Sequence, residues 1–448
     1  MKKILPLLSG ALALAALQSC SNNQAATRPP IDTVLGIDSS IKPGDNFFMY
    51  VNGKWYDTAS IPVTQAGVGS YSFLNYPQRL RLETILDSVS KAENKPGSIE
   101  QQLGDFFASG MDTATIEKRG YTPLEPVLGK IEAIKDIPSL LLVVDVQQKE
   151  HDGSIMGINV GPDDKNSKVN IVHFAQTGLG LPDRDYYFKT DAPSLAVQDA
   201  YKKFIATLFE LTGADAATAA KQTEAVYSLE KQLAESHKTN IERRDVKANY
   251  NKMALAALNA KQPNIGWNAY LKVLGITADS ADIQQPAYYE KLNKLLASVP
   301  VSDWKLYLKA NTLGNYATAL SKPFSDAAFE YSKVLSGQSI RKPRGEEMVE
   351  IIDRHIGQAL GQLYVKKYFS EDAKKRINEL VDNLEKAFAA RIDKLDWMSD
   401  STKAAAKEKL KAFSRKVGYP DKWRSYEKVS IGHYIFEIRG GKKRRFPI

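Results

Sequence analysis

Cysteine is almost absent from this sequence: Cys20 is the only one in 448 residues. No internal disulfide can form and no cysteine-based zinc site can be built, so stability has to come from packing. Histidine is scarce too, with five in all: His151, His173, His237, His355 and His433. None is followed by Glu with a second His four residues on, so the helix that offers two zinc-binding imidazoles one turn apart is missing. His151 and His237 lie on polar stretches and are expected to face solvent, His173 alternates within an apolar strand pattern, and His355 sits beside an apolar helix stripe. No G-x-S-x-G elbow, P-loop lysine or dinucleotide-type glycine run stands at a strand-to-helix turn. The carboxylates read as charged helix faces, and no two are marked as a catalytic pair. From the residues alone, the sequence therefore assigns no catalytic residue and no metal ligand.

Excess charge is also missing where it would matter. The net charge of +9 includes Lys2 and Lys3, and a further +4 is concentrated in 432–448, which leaves +3 on the body of the chain. A near-neutral body argues against a nucleic-acid partner. The long apolar run of the N-terminus, from Ile4 to Leu17, has 14 residues. That is short of the roughly 20 a membrane helix needs.

That run nevertheless has a function of its own. Lys2 and Lys3 precede it, and Leu17-Gln18-Ser19-Cys20 closes it with small residues before a cysteine. It reads as a lipoprotein signal, which predicts cleavage between Ser19 and Cys20, lipidation of Cys20, and retention at a bacterial cell envelope, periplasmic or at the surface, by buried acyl chains. The expected organisation is a signal at 1–19, a polar tether at 20–38, an N-terminal segment at 39–75, a helical domain at 76–426 and a basic tail at 427–448.

The body is patterned for helices. Leu103, Phe106 and Phe107 share a face, Gly120 stops a helix before Pro123 and Pro126, and Ile137 to Val146 forms an apolar run. Tyr201, Phe204, Leu208 and Leu211 recur at helical spacing, as do Val226, Leu229 and Leu233. Tryptophan and tyrosine at 267, 270, 304 and 307 read as core. Ile155–Val160 and Val169–Phe174 alternate as strands and predict a hairpin. Two amphipathic stripes, Ile352 to Leu363 and Ile377 to Leu395, predict long helices folded into an antiparallel hairpin. Ser399 or Asp400 caps a last helix that Gly418 and Pro420 are expected to stop.

Several stretches carry a resemblance. Pro43 to Trp55 with Ile61-Pro62, Val68 to Leu74, Met111-Asp112 to Leu124, Gln176 to Tyr187, Gly361 to Val365, and Trp397-Met398 to Leu410 followed by Val417 to Trp423 resemble, in order, the neprilysin family of zinc endopeptidases, which includes endothelin-converting enzymes and bacterial oligopeptidase O. Glu230, Arg243, Arg244 and Asp245 match further positions of that pattern. The resemblance implies a mainly α, multi-helix lid domain with a small β-hairpin, which in the family encloses a thermolysin-like catalytic domain and admits oligopeptides. It also implies a zinc cofactor in the intact family, bound by a downstream H-E-x-x-H helix that these residues do not contain. The sequence accordingly predicts a thermolysin-like domain absent from this chain, no zinc, and no hydrolysis by the chain alone.

Three departures stand out. Gly67 occupies the place where neprilysin has an arginine for a substrate's terminal carboxylate, and Gly44 and Gly110 stand where animal members have cysteines. The composition change near 430 suggests residues out of frame and a longer natural product, with a missing catalytic domain as partner. The reading from a different class is a non-catalytic lipoprotein, built of the lid alone, that binds peptides or a partner.

Overall fold

The computed structural model describes residues 36–150, 155–427, 429 and 431. Ser19 and Cys20 lie outside the described residues, as do His151 and His433. The chain divides into two units between Pro62 and Val63, so the boundary expected at 75 falls within a helix.

The first unit is built on α1 (Phe47–Thr58), whose first turn is capped by the Asn46 side chain accepting from the Met49 amide at 3.0 Å. Residues 36–41 fold back along it, with Asp38 N donating to Tyr50 O at 2.8 Å and Lys54 N to Gly36 O at 3.1 Å. The sequence suggests Gly53 as a turn glycine with positive φ; it lies instead in mid-helix. Its smallness serves a close approach, because a Cβ there would sit 2.9 Å from Asp38 Cβ.

The second unit holds the remaining helices: α2 (Ser70–Lys91), α3 (Ile99–Met111), α4 (Thr113–Arg119), α5 (Glu125–Glu132), α6 (Ile137–Lys149), α7 (Ala192–Glu210), α8 (Ala216–Ala234), α9 (Leu255–Lys261), α10 (Trp267–Leu274), α11 (Pro286–Ser298), α12 (Val301–Tyr316), α13 (Lys322–Ser336), α14 (Arg344–Tyr368), α15 (Glu371–Asp393) and α16 (Asp400–Lys411). Asp and Ser side chains at 98, 112, 136, 191, 215, 370 and 399 each accept a first-turn amide, and Gly120, Gly275 and Gly337 end α4, α10 and α13 at positive φ. The mainly helical fold is as the sequence predicts.

The expected hairpin is present and belongs to a larger sheet. β1 (Gly157–Asp163) and β2 (Asn166–Ala175) pair antiparallel with an irregularity at Pro162/Asp163, β2 runs parallel to β4 (Ser280–Ile283), and β3 (Lys252–Ala254) adds an antiparallel edge. The order is β1-β2-β4-β3. With three and four residues, β3 and β4 are too short to show a period in the sequence.

Two hydrophobic cores organise the unit. The larger gathers α5 to α13 around the sheet, where Phe174 of β2 meets the Trp267 ring edge-on at 4.9 Å and Tyr289 at 5.9 Å. Trp267, Tyr270, Trp304 and Tyr307 are fully buried within it, the core role their spacing suggests. The smaller core joins α2, α3 and α14 through Leu86, Leu103, Phe107 and Ile352. There α2 and α3 touch backbone to side: a Cβ on Gly104 would stand 2.6 Å from the Val89 carbonyl oxygen. Gln102 Nε2 donates to the carbonyls of Tyr426 at 2.8 Å and Val429 at 2.7 Å, and Tyr426, Val429 and Ile431 pack on this core, so ordered packing continues past 427.

Two expectations fail at the C-terminal side. The helices α14 and α15 do not pack as an antiparallel hairpin. The apolar stripe of α14 is taken up by α2 and α3, its axis breaks at Ile356 (φ −131°, ψ 36°), and α15 packs along α16 instead. Leu380, Leu384 and Phe388 consequently remain more than half exposed. Arg415 holds the α15 face through Glu385 at 2.7 and 3.0 Å. Helix α16 also ends at Lys411, well before Gly418. Gly418 instead turns the chain at φ 71° against the Phe369 ring.

Candidate functional site

The loop from Gln176 to Tyr187 carries one of the sequence's most specific patterns, and the larger core is built to hold it. Gln176 exchanges hydrogen bonds with the backbone of Lys238, its Nε2 donating at 2.9 Å and its Oε1 accepting at 2.7 Å. Gly178 sits at φ 92°, where its carbonyl accepts from the Tyr307 hydroxyl at 3.0 Å. The Gly180 carbonyl accepts from Tyr331 at 3.2 Å, while the amides of Gly180 and Leu181 both donate to the Tyr187 hydroxyl oxygen at 3.1 Å. Asp183 accepts from the Asp185 amide at 2.9 Å and from Asn240 at 2.9 Å, and Arg184 Nε donates to the last α8 carbonyl, Ala234 O, at 3.3 Å. The loop's polar side chains thus satisfy an irregular buried backbone.

Beneath it lies Glu230, fully buried on α8. Its two carboxyl oxygens accept from the Tyr187 and Tyr201 hydroxyls, each at 2.8 Å. No ion pair reaches it among the described residues. Burial lifts its carboxyl to about 7, against the opposing pull of the two hydroxyls and the Gly180 backbone. Gly180 has to be glycine for this packing, since a Cβ would fall 1.7 Å from the Tyr201 hydroxyl oxygen. Sequence reasoning treats the carboxylates as charged helix faces and so misses the role of Glu230. The signal was its place inside the Val226, Leu229, Leu233 stripe. Asp145 of α6 is a parallel case: 5% exposed, inside the apolar run 137–146, and lifted to about 7 by burial.

Gly180, Tyr201 and Tyr331 also line a cleft of about 500 Å³ between the larger core and the start of α14. Phe204 stacks on Tyr331 on one wall, ring centroids 5.6 Å apart. The other wall is charged and internally paired: Arg341 binds Glu347 through two contacts of 2.5 and 2.8 Å, and Lys342 meets Glu350 at 2.6 Å.

The three described histidines each have a hydrogen-bond partner. His173 Nδ1 lies 3.0 Å from Asp282 Oδ2 and its Nε2 3.2 Å from Pro162 O, bracing β2. His237 does not face solvent as its polar neighbours suggest. Its ring is buried edge-on against Tyr288 at 5.0 Å with Nε2 3.1 Å from Thr177 O, and burial lowers it to about 4. His355 is exposed, with Nδ1 2.8 Å from Ile351 O beside the α14 break. Among the described residues no group of three His, Cys, Asp or Glu side chains could hold a metal ion. These residues do not fit a catalytic zinc. Of the three departures, Gly67 and Gly44 leave open space where a Cβ would go, whereas a Cβ on Gly110 would strike the Met348 side chain.

Comparison with known proteins agrees with this geometry. The sequence profile of Peptidase family M13 matches residues 43–420. Rat endothelin-converting enzyme-like 1 is 28% identical over 442 residues, covering 95% of this chain and 56% of its own length. Bovine endothelin-converting enzyme 1 is likewise 28% identical, covering 86% of this chain and 52% of its own. The crystal structure of the zinc metalloprotease ZMP1 of Mycobacterium tuberculosis superposes with a TM-score of 0.82 at 33% identity, over 90% of this chain and 61% of that one. PEPO of Lactobacillus rhamnosis, at 22% identity and TM-score 0.78, shares the fold. The chain spans about half the length of the curated relatives it matches. From the ordered motifs, the helical fold and the match across most of its length, this chain belongs to peptidase family M13.

Proposed function

We propose that this chain is the helical, substrate-enclosing portion of a lipid-anchored zinc endopeptidase acting on oligopeptides at a bacterial cell envelope. The observation that carries the reading is the continuous family match over residues 43–420 on a fold shared with a zinc metalloprotease. The zinc, the activated water and the bond-breaking belong to the share of the relatives' length that this chain does not span. Its own residues supply a rigid wall: the Gln176–Tyr187 loop pinned by Glu230, the sheet braced by His173 and Asp282, and the helices around them. The exposed apolar residues of α15, and Trp397 and Phe413 flanking α16, are suited to being covered by that remaining part.

The experiment is a hydrolysis assay on a quenched-fluorescence peptide with an apolar residue after the scissile bond. The chain alone is expected to give no zinc-dependent cleavage, and a family-length product containing it is expected to cleave and to lose activity with a chelator. Cleavage by the chain alone, or none by the longer product with zinc, contradicts the proposal. The anchoring has its own test: labelled palmitate should enter the protein in bacteria and fail to enter Cys20→Ala, and equal labelling of the two would remove Cys20 from the reading.

A further inference from the structure

The Glu230 cluster does more than fill a core, because a buried carboxyl without a cation is a costly way to hold a loop. The polar groups that act on it are phenols and a backbone amide: Tyr187 from the turn at 184–187, Tyr201 from α7, Tyr307 from α12, Tyr331 from α13, Tyr227 on its own helix, and the Gly180 backbone. No lysine, arginine or histidine pairs with it among the described residues.

The hydrogen-bond arithmetic is tight. The Tyr187 hydroxyl accepts two amides, from Gly180 and Leu181, and gives its one proton to Glu230 Oε2. The Tyr201 hydroxyl gives its proton to Glu230 Oε1. The ionised carboxylate is thus well supplied with donors but stranded away from water and cations. The neutral acid avoids that desolvation by donating from Oε1 to the Tyr201 oxygen, which accepts no other hydrogen bond among the described residues, while the Tyr201 proton turns away from the carboxyl. Opening the Gly178–Tyr187 loop would hydrate the ionised carboxylate, which is fully buried with no cation, and gains nothing for the neutral acid, so the neutral form favours the closed loop. That loop forms part of the cleft wall through Gly180, beside Tyr201 and Tyr331.

We propose that Glu230 is a proton-operated latch: with its carboxyl neutral the Gly178–Tyr187 loop is clamped onto α8, and with its carboxyl ionised the loop loosens and admits water to the cleft at Gly180. The placement near neutral of the Glu230 carboxyl puts this change between about pH 6 and 8. Loosening costs less than global unfolding because only the contacts of one loop are given up.

The test is hydrogen exchange at the Gly180 and Leu181 amides in the full chain, corrected for the intrinsic pH dependence of exchange. Protection is expected to fall about tenfold between pH 6 and 8.5, and to be flat across that range in Glu230→Gln. Asp145→Asn should leave the transition in place. Flat protection in the unmodified chain, an unchanged transition in Glu230→Gln, or its loss in Asp145→Asn each overturns the latch. Tyr201→Phe gives a second reading if Glu230→Gln does not fold: removing one donor to the carboxylate should raise the midpoint, and an unmoved midpoint counts against the proposal.

Discussion

Gly180→Ala is expected to cost about 3 kcal/mol of stability, well beyond an ordinary surface change. The added methyl would lie 1.7 Å from the Tyr201 hydroxyl oxygen and 2.3 Å from its ring carbon Cζ. A flexible side chain could retreat, but this ring is buried, lies against Tyr331 with centroids 5.3 Å apart, and is tied at its far end to Glu230 at 2.8 Å. Relief requires Tyr201 or the loop to move, and either movement takes a donor away from a buried carboxyl. Gly129→Ala is the matched control, since Gly129 lies on α5 with nothing within 4 Å of an added Cβ. It should change stability by less than about 1 kcal/mol, in the stabilising direction. Urea unfolding of the two variants decides the point. Equal effects would mean that the loop is not clamped as described.

Stability is expected to be greatest near pH 4 to 5, to fall by about 3 kcal/mol by pH 7.5, and to level off above that. Glu230 and Asp145 are both raised from ordinary carboxyl values to about 7 in the folded chain. In the window between the unfolded and folded values, the folded state holds protons that the unfolded state has lost. Their contribution is complete below the unfolded values and disappears as pH rises through 7. His237 works the other way, because burial lowers it to about 4. Its contribution is present above the ordinary histidine value and is lost as pH falls towards 4. Two carboxyls outweigh one imidazole between pH 5 and 7, so the slope is set by the carboxyls. Glu230→Gln and Asp145→Asn should each remove more than half of this loss in denaturant midpoints, since His237 opposes the carboxyl that remains. A flat profile from pH 5 to 8.5 would contradict the burial of both groups as ionisable acids.

Much of the fold was legible because helical periods and caps are local signals. Gly120 as a stop, Ser399 as a cap, and Trp267, Tyr270, Trp304 and Tyr307 as core all follow from spacing and residue type. The misreadings share one cause, competition for a face by partners distant in sequence. The stripe of α14 looked free to pair with α15, but α2 and α3, more than 230 residues earlier, already occupy it. His237 stands among polar neighbours, yet the ring of Tyr288 and the Thr177 carbonyl take it in. Glu230 was hidden in the opposite way. A single acid inside an apolar stripe is easily assigned to the helix surface, and only the tyrosines brought in from the 184–187 turn and α7 show why it is tolerated.

The most direct measurement of the central claim is the intact mass and metal content of the natural product of this locus, recovered from the bacterial envelope by an antibody to the helical domain. The account predicts a single lipidated polypeptide that contains residues 76–426 together with an H-E-x-x-H segment, carries about one zinc per chain, and cleaves peptides before apolar residues. A polypeptide that has no such segment, binds no zinc, and is monomeric and cooperatively folded would contradict the peptidase reading and make this a helical binding protein.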